Sequence, residues 1–229
     1  MISLNDWHAV ARLIDHTLLK PESTRDQVTQ MCREGIHFGF ATVFVHPWHV
    51  EYASQLLRGT AVKAGTPIGF PQGATLSTVK RFEAAEALRL GAGELDMVMN
   101  VGALKSGAPA LVEADIRGVV EAVHDAGAIL KVILETALLT REEKILACEL
   151  SVAAGADFVK TCTGLVGGAT VEDVALMRAV VGHRARVKAS GGIRSLSNLS
   201  ALLQAGADRI GTSSGVTIMR ELGAPEART

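Results

Sequence analysis

The chain has 229 residues, enough for one domain with a substantial buried core. Apolar residues make up 48% of it and aromatic ones 4%, so the core is expected to be aliphatic, built from Ala, Val, Leu and Ile. Lys and Arg number 23 against 24 Asp and Glu, a balance that gives no electrostatic reason to expect nucleic acid or an anionic membrane as partner.

The first residues, Met1-Ile2-Ser3-Leu4-Asn5-Asp6-Trp7, lack the basic and apolar regions of a secretory signal, and a short N-terminal helix is expected before the barrel. A first buried strand is read at 13–19. Others follow at 41–45, 62–70, 94–100, 130–135, 158–163, 186–190 and 209–213. Amphipathic, Ala-rich stretches alternate with them. Val79, Phe82 and Ala85 share one helical face, as do Val171, Val174 and Met177, and Thr170 with Asp173 has the spacing of a capping box. A glycine ends each stretch: Gly35, Gly59, Gly91, Gly127, Gly155, Gly182 and Gly206 stand 24 to 36 residues apart. At the C′ position of a helix, glycine takes the left-handed turn that leads into the next strand.

Eight such units in one chain, with no Pro- or Gly/Ser-rich linker, predict a single-domain (β/α)8 TIM barrel over residues 1–229. A doubly wound open sheet is the alternative. The count of eight and the lack of a Gly-x-Gly-x-x-Gly turn after the first strand favour the barrel. Cys32, Cys148 and Cys162 are odd in number and share no ligand spacing, so they read as reduced thiols of a cytoplasmic protein. No apolar run approaches the length of a membrane span.

In such barrels the chemistry sits at the C-terminal ends of the strands. Asp96 lies in Leu95-Asp96-Met97-Val98, Lys160 in Phe158-Val159-Lys160-Thr161, and Lys188 in Val187-Lys188-Ala189-Ser190; Lys131 adds a fourth ionisable candidate. One lysine in a strand is usually exposed or snorkelling. Two on consecutive strands, with an inward carboxylate, point to a catalytic cluster. Repulsion and desolvation lower one ammonium's pKa, and a neutral amine can then form an imine with a carbonyl compound. The residues alone leave open which lysine is the nucleophile. Gly191-Gly192 after strand seven and Gly211-Thr212-Ser213-Ser214 after strand eight stand where this barrel usually holds phosphate.

These segments resemble deoxyribose-phosphate aldolase over nearly the whole chain. They include Asp15-His16-Thr17-Leu18-Leu19-Lys20-Pro21, Ile68-Gly69-Phe70-Pro71, Leu95-Asp96-Met97-Val98-Met99-Asn100 and Lys131-Val132-Ile133-Leu134-Glu135-Thr136. Further on come Asp157-Phe158-Val159-Lys160-Thr161, Lys188-Ala189-Ser190-Gly191-Gly192-Ile193-Arg194 and the 209–215 segment. The resemblance implies a metal-free, cofactor-free class I aldolase that reversibly cleaves 2-deoxy-D-ribose 5-phosphate to glyceraldehyde 3-phosphate and acetaldehyde. It implies Lys160 as the Schiff-base lysine, Lys188 as the neighbour that lowers its pKa, and Asp96 as the proton-relay acid. It also implies Lys131 as a supporting lysine, Asp15 and Thr163 near the substrate, and Gly191, Gly192, Gly211, Ser213 and Ser214 as the phosphate cradle. The implied partner is a sugar phosphate, and a homodimer is expected from the family.

The chain departs from that pattern in four places. Phe44 stands where some members have cysteine, Cys162 where serine is usual, and Leu165 where some have lysine. The chain ends Glu226-Ala227-Arg228-Thr229 where longer members have a tyrosine; its single tyrosine is Tyr52. Strand alternation would put Cys162 on the side of Lys160, as a thiol within reach of reactive aldehydes or as a small buried side chain. A metal-dependent enzyme on the same barrel is the competing reading. His46 and His49 are close, but no ligand set converges. A non-catalytic sugar-phosphate-binding barrel is a third reading, and the retained Asp96, Lys160 and Lys188 weigh against it.

Overall fold

The computed structural model describes residues 6–226. The readings of Met1 to Asn5 and of the terminal Ala227, Arg228 and Thr229 lie outside the described residues. Helix α1 (Trp7–Ala11), capped by the Asp6 carboxylate, precedes β1 (Ile14–Leu18). The chain continues through α2 (Arg25–Phe38), β2 (Thr42–Val45), α3 (Val50–Leu56), β3 (Lys63–Ile68) and α4 (Ser77–Arg89). Then come β4 (Glu94–Val98), α5 (Val101–Lys105), α6 (Pro109–Asp125), β5 (Ile129–Ile133) and α7 (Arg141–Ala153). The last elements are β6 (Phe158–Lys160), α8 (Val171–Val181), β7 (Arg186–Ser190), α9 (Leu196–Gln204), β8 (Arg209–Thr212) and α10 (Gly215–Glu221). Each strand pairs in parallel with the next, and β8 returns to β1. The sheet is a closed eight-stranded barrel, not an open one.

The register decides what the barrel contains. Asp96 pairs with Lys131, Ile133 with Lys160, and Lys160 with Lys188. Side chains alternate along a strand, so these positions share the interior side, while Leu95, Met97, Leu130, Val132, Val159, Val187 and Ile210 take the other. That second set is fully buried and belongs to the apolar core between strands and helices. The expected aliphatic core is therefore this outer shell. The interior of the barrel is ionic and aromatic instead.

Helix boundaries follow local chemistry. Thr24 with Gln27 and Thr140 with Glu143 form complete capping boxes on α2 and α7. At α8, Thr170 caps the Asp173 N–H, but the Asp173 carboxylate binds Lys144 at 2.6 Å, so the reciprocal half of the expected box is not made. Gly35 is a second correction. It lies inside α2, where an added Cβ would meet a Val43 methyl at 2.7 Å, and Gly39, with φ 69°, makes the left-handed turn. The six later glycines of the series all have positive φ, as expected.

Helix α4 is the third correction. Val79, Phe82 and Ala85 face outward, and the buried side carries Lys80, Ala84 and Ala87. Lys80 reaches across to the Asp115 carboxylate of α6 at 2.5 Å and to the Val98 carbonyl at 3.0 Å. This buried cation fixes which side of the helix turns inward, and the two alanines allow close approach. On α8, Val174 and Met177 are buried as expected, while Val171 in the first turn is exposed.

Changing Lys80 to Met leaves the Asp115 carboxylate buried without its cation, and should cost about 3–5 kcal/mol. The urea midpoint should fall accordingly, and the double change with Asp115→Leu should recover most of it. A single variant with the wild-type midpoint would show that this pair does not orient α4.

Candidate active site

At the C-terminal ends of the strands lies a pocket of about 330 Å3. Its wall includes Thr17, Lys20, Lys160, Thr163, Gly191, Gly192, Arg194, Gly211 and Ser213. Lys160 opens into it. Lys188, on the adjacent strand, is buried and lies outside the lining. The two ammonium groups meet on one atom: Asp96 Oδ2 accepts from Lys160 at 2.8 Å and from Lys188 at 2.7 Å. Its other oxygen accepts from Lys131 at 2.9 Å.

Beneath this junction the network widens. Asp15 accepts from Lys188 and from Arg209, the latter at 2.7 Å, and lies 3.5 Å from Lys131. Glu94 pairs with Lys131 at 2.7 Å and with Arg209 at 2.9 Å. Four cations thus face three carboxylates in a largely buried network that only Lys160 opens to the pocket, which leaves one positive charge without an anion. Burial favours neutral acids, yet the surrounding lysines outweigh it. Lys131, Lys160 and Lys188 hold the Asp96 carboxyl well below the usual range. Lys131, Lys188 and Arg209 do the same for Asp15. Lys131 and Arg209, each against two or more carboxylates, are raised despite burial.

Lys188 goes the other way. Burial pushes it down, Asp15 and Asp96 pull it up, Lys160 and Lys131 push it down again, and it settles at about 8 against the ordinary 10.5. The surplus positive charge is therefore lost most easily from Lys188.

The structure brings Asp96, Lys160 and Lys188 together as the sequence predicts. It places Asp15 and Lys131 lower, fully buried and outside the pocket lining, so their partners are the charged groups of the site. Gly191, Gly192, Gly211 and Ser213 line the pocket. Ser214 does not: it stands at the start of α10, and its N–H donates to Thr212. At Gly211 the backbone must pass close to Lys188, whose Cε would lie 3.0 Å from an added Cβ.

Several residues escaped the sequence reading. Lys20 and Arg194 put two cations on the rim beside the loops after β7 and β8; their signal was position, just after β1 and after the Gly191-Gly192 turn. Glu94 and Arg209 share the interior parity of Asp96 and Lys188. Glu135 has φ 57°, the left-handed region that a side chain rarely adopts, and is buried. Its carboxylate accepts the Thr163 hydroxyl at 2.5 Å and the Thr163 N–H at 3.2 Å, fixing the pocket wall beside Lys160. His46 and His49, the close pair of the sequence, bond the Leu19 and Ser23 carbonyls. Among the described residues no group of three or more His, Cys, Asp or Glu is arranged to hold a metal ion.

A family model described as DeoC/LacD family aldolase matches residues 9–222. The chain is similar to the deoxyribose-phosphate aldolase of Streptococcus sanguinis, with 57% identity over 91% of this chain and 94% of that one. With that of Geobacillus sp. it shares 56% over 92% and 94%. Among solved structures, the deoxyribose phosphate aldolase of Aeropyrum pernix, described as a unique tetramer, superposes with a TM-score of 0.89. The two are 36% identical over 95% of this chain and 92% of that one.

Cys162 does not follow the alternation expected of it. The strand ends at Lys160, and the thiol turns into the protein, donating to the Ser190 carbonyl at 2.7 Å and lying outside the pocket lining. Burial raises its pKa, and burial pushes the thiols of Cys32 and Cys148 up to about 12. Since the thiolate is the reactive form, iodoacetamide or crotonaldehyde should leave all three unmodified in the native protein at neutral pH and label them after unfolding. Rapid native labelling of Cys162, seen by peptide mass mapping, would place it within reach of the site after all.

Proposed function

The chain belongs to the DeoC/LacD family of aldolases, and from that premise we propose that it reversibly cleaves 2-deoxy-D-ribose 5-phosphate to glyceraldehyde 3-phosphate and acetaldehyde through a Schiff base on Lys160. The observation that carries this reading is the sharing of Asp96 Oδ2 by two buried lysines of which Lys160 opens to the pocket.

Neutral Lys188 takes a proton from Lys160 across Asp96, so that a free amine faces the substrate aldehyde. Lys160 Nζ attacks C1, and the carbonyl oxygen leaves as water after receiving protons from the relay. The resulting iminium draws the C2–C3 bonding electrons toward nitrogen as the C3 hydroxyl loses its proton. Glyceraldehyde 3-phosphate departs and an enamine remains on Lys160. Protonation at C2 and hydrolysis of the imine release acetaldehyde and restore the amine. Asp96, held ionised by its lysines, carries the protons between them. Gly191, Gly192, Gly211 and Ser213 supply N–H and hydroxyl donors for the phosphate, with the Ser214 hydroxyl nearby, and the rim cations Lys20 and Arg194 add charge where Leu165 offers none. Asp15 and Lys131 act from below by holding Lys188 and Asp96 in place, and Thr163 borders the reacting carbon.

The three buried free thiols support a reducing, cytoplasmic location. No described helix is long and apolar enough to cross a membrane.

Acetaldehyde with borohydride should ethylate Lys160 irreversibly, a net mass gain of C2H4. In the wild type, activity should rise as pH climbs through the Lys188 value of about 8, because the proton acceptor is its neutral form. Lys188→Met should lose about 100-fold or more at neutral pH and lack that inflection. Peptide mapping of the adduct to Lys188 would reverse the two roles, and no adduct at all would end the aldolase reading.

The expected homodimer has support in the outer face of α4. Leu76, Val79 and Phe82 are exposed there beside a groove of about 460 Å3 that Phe70 and Pro71 help to line. Sedimentation velocity should find the wild type as a dimer or larger and Phe82→Glu shifted toward monomer. A monomeric wild type at micromolar concentration would remove this assembly.

A further inference from the structure

Phe44 is a residue of the barrel interior that the proposed reaction leaves without a task. It lies on β2, pairs in register with Thr17 and Gly65, and is 1% exposed. The three ammonium groups that converge on Asp96 also converge on its ring. Lys188 Nζ lies 4.4 Å from the ring centroid, Lys131 5.1 Å and Lys160 5.8 Å. All three are within the range at which the negative face of an aromatic ring attracts a cation. Gly65 makes the placement possible: a Cβ there would stand 2.4 Å from two ring carbons, so β3 gives up its side chain at the level where β2 inserts a phenyl.

The surroundings of Lys188 can be taken strand by strand. β1 offers Asp15, β4 Asp96, β5 Lys131 and β6 Lys160. Arg209 of β8 and Glu94 of β4 stand behind, paired with Asp15 and Lys131. These groups pair with one another, with one cation in excess. From β2 Lys188 meets a hydrocarbon ring, which removes water as any apolar side chain would but also presents a quadrupole that favours the ammonium over the amine. A leucine of similar bulk would desolvate without that compensation.

We propose that Phe44 is a positioning residue whose ring face sets the proton affinity of Lys188, and through Asp96 the readiness of Lys160 to act as a free amine. This rests on the reading of Lys160 and Lys188 as the reacting pair, but the effect on Lys188 can be measured without any reaction. With lysine labelled at the ε-carbon, the Lys188 resonance is identified by its loss in Lys188→Met and titrated by NMR. Pentafluorophenylalanine at position 44 keeps the ring's shape and inverts its quadrupole. It should lower the Lys188 pKa by about half a unit to one and a half units. Phe44→Leu should shift it in the same direction, as should Gly65→Ala, which displaces the ring.

In the acid limb of the pH–rate profile the fluorinated enzyme should be about 3- to 30-fold faster than wild type, since each unit is a tenfold change in neutral Lys188. An unmoved Lys188 titration in the folded pentafluorophenylalanine protein would overturn the proposal. A moved titration with no imine trapped on Lys160 would uphold the ring's effect and remove the aldolase chemistry from it.

Discussion

The site depends on one carboxylate. Asp96 accepts from three lysines, and without it Lys131, Lys160 and Lys188 would be buried positive charges with too few anions between them. Removing charge from water is costly, and in such a place a group tends to change its protonation state rather than remain an unpaired ion. Three carboxylates hold three cations firmly; the fourth is the one whose proton is loosely kept. Reactivity is in this sense a residue of incomplete neutralisation, arranged by the number of charged side chains on the inner face of the barrel.

That arrangement constrains the rest of the fold. The network can be rigid because each member sits on a strand, and strands pinned by parallel neighbours on both sides leave little freedom in height or angle. The aliphatic shell outside the strands, with Leu95, Val132, Val159 and Val187 all fully buried, carries the cohesion that an ionic interior does not supply. The mouth above is softer in composition. Its wall is made of loops, fixed locally by bonds such as the one between Glu135 and the Thr163 hydroxyl.

Much of this was legible in the sequence, and the failures have physical causes. The strands stood out because their outer residues are continuous aliphatic partners for helices, and Asp96, Lys160 and Lys188 because ionised groups interrupt those runs. Period-two alternation reports which side of a sheet a residue takes, but not its height along the barrel axis, so Asp15 and Lys131 could not be told from residues of the pocket wall. Cys162 was misplaced because alternation was carried past the point where β6 ends. On α4, apolar spacing pointed to Val79 and Phe82, yet the inner side was decided by the pairing of Lys80 with Asp115, a contact between residues distant in sequence. Gly35 resembled a helix end because the turn at Gly39 follows so soon; close packing on Val43, which the sequence does not display, explains its lack of a side chain.

Phe44 and Gly65 occupy one volume between them, and this makes their histories inseparable. A side chain at position 65 would strike the phenyl ring at 2.4 Å, whereas a smaller residue at position 44 would clear the space first. A descendant of this sequence can therefore exchange the phenyl before the glycine, at the cost of a transient void, but the reverse order passes through an overpacked intermediate. The pair is an instance of sign epistasis written into the barrel: the same glycine substitution is harmful on one background and able to fill a cavity on the other. Directed evolution that samples position 65 alone should find it nearly invariant, and joint libraries at both positions should open a route that neither single library contains.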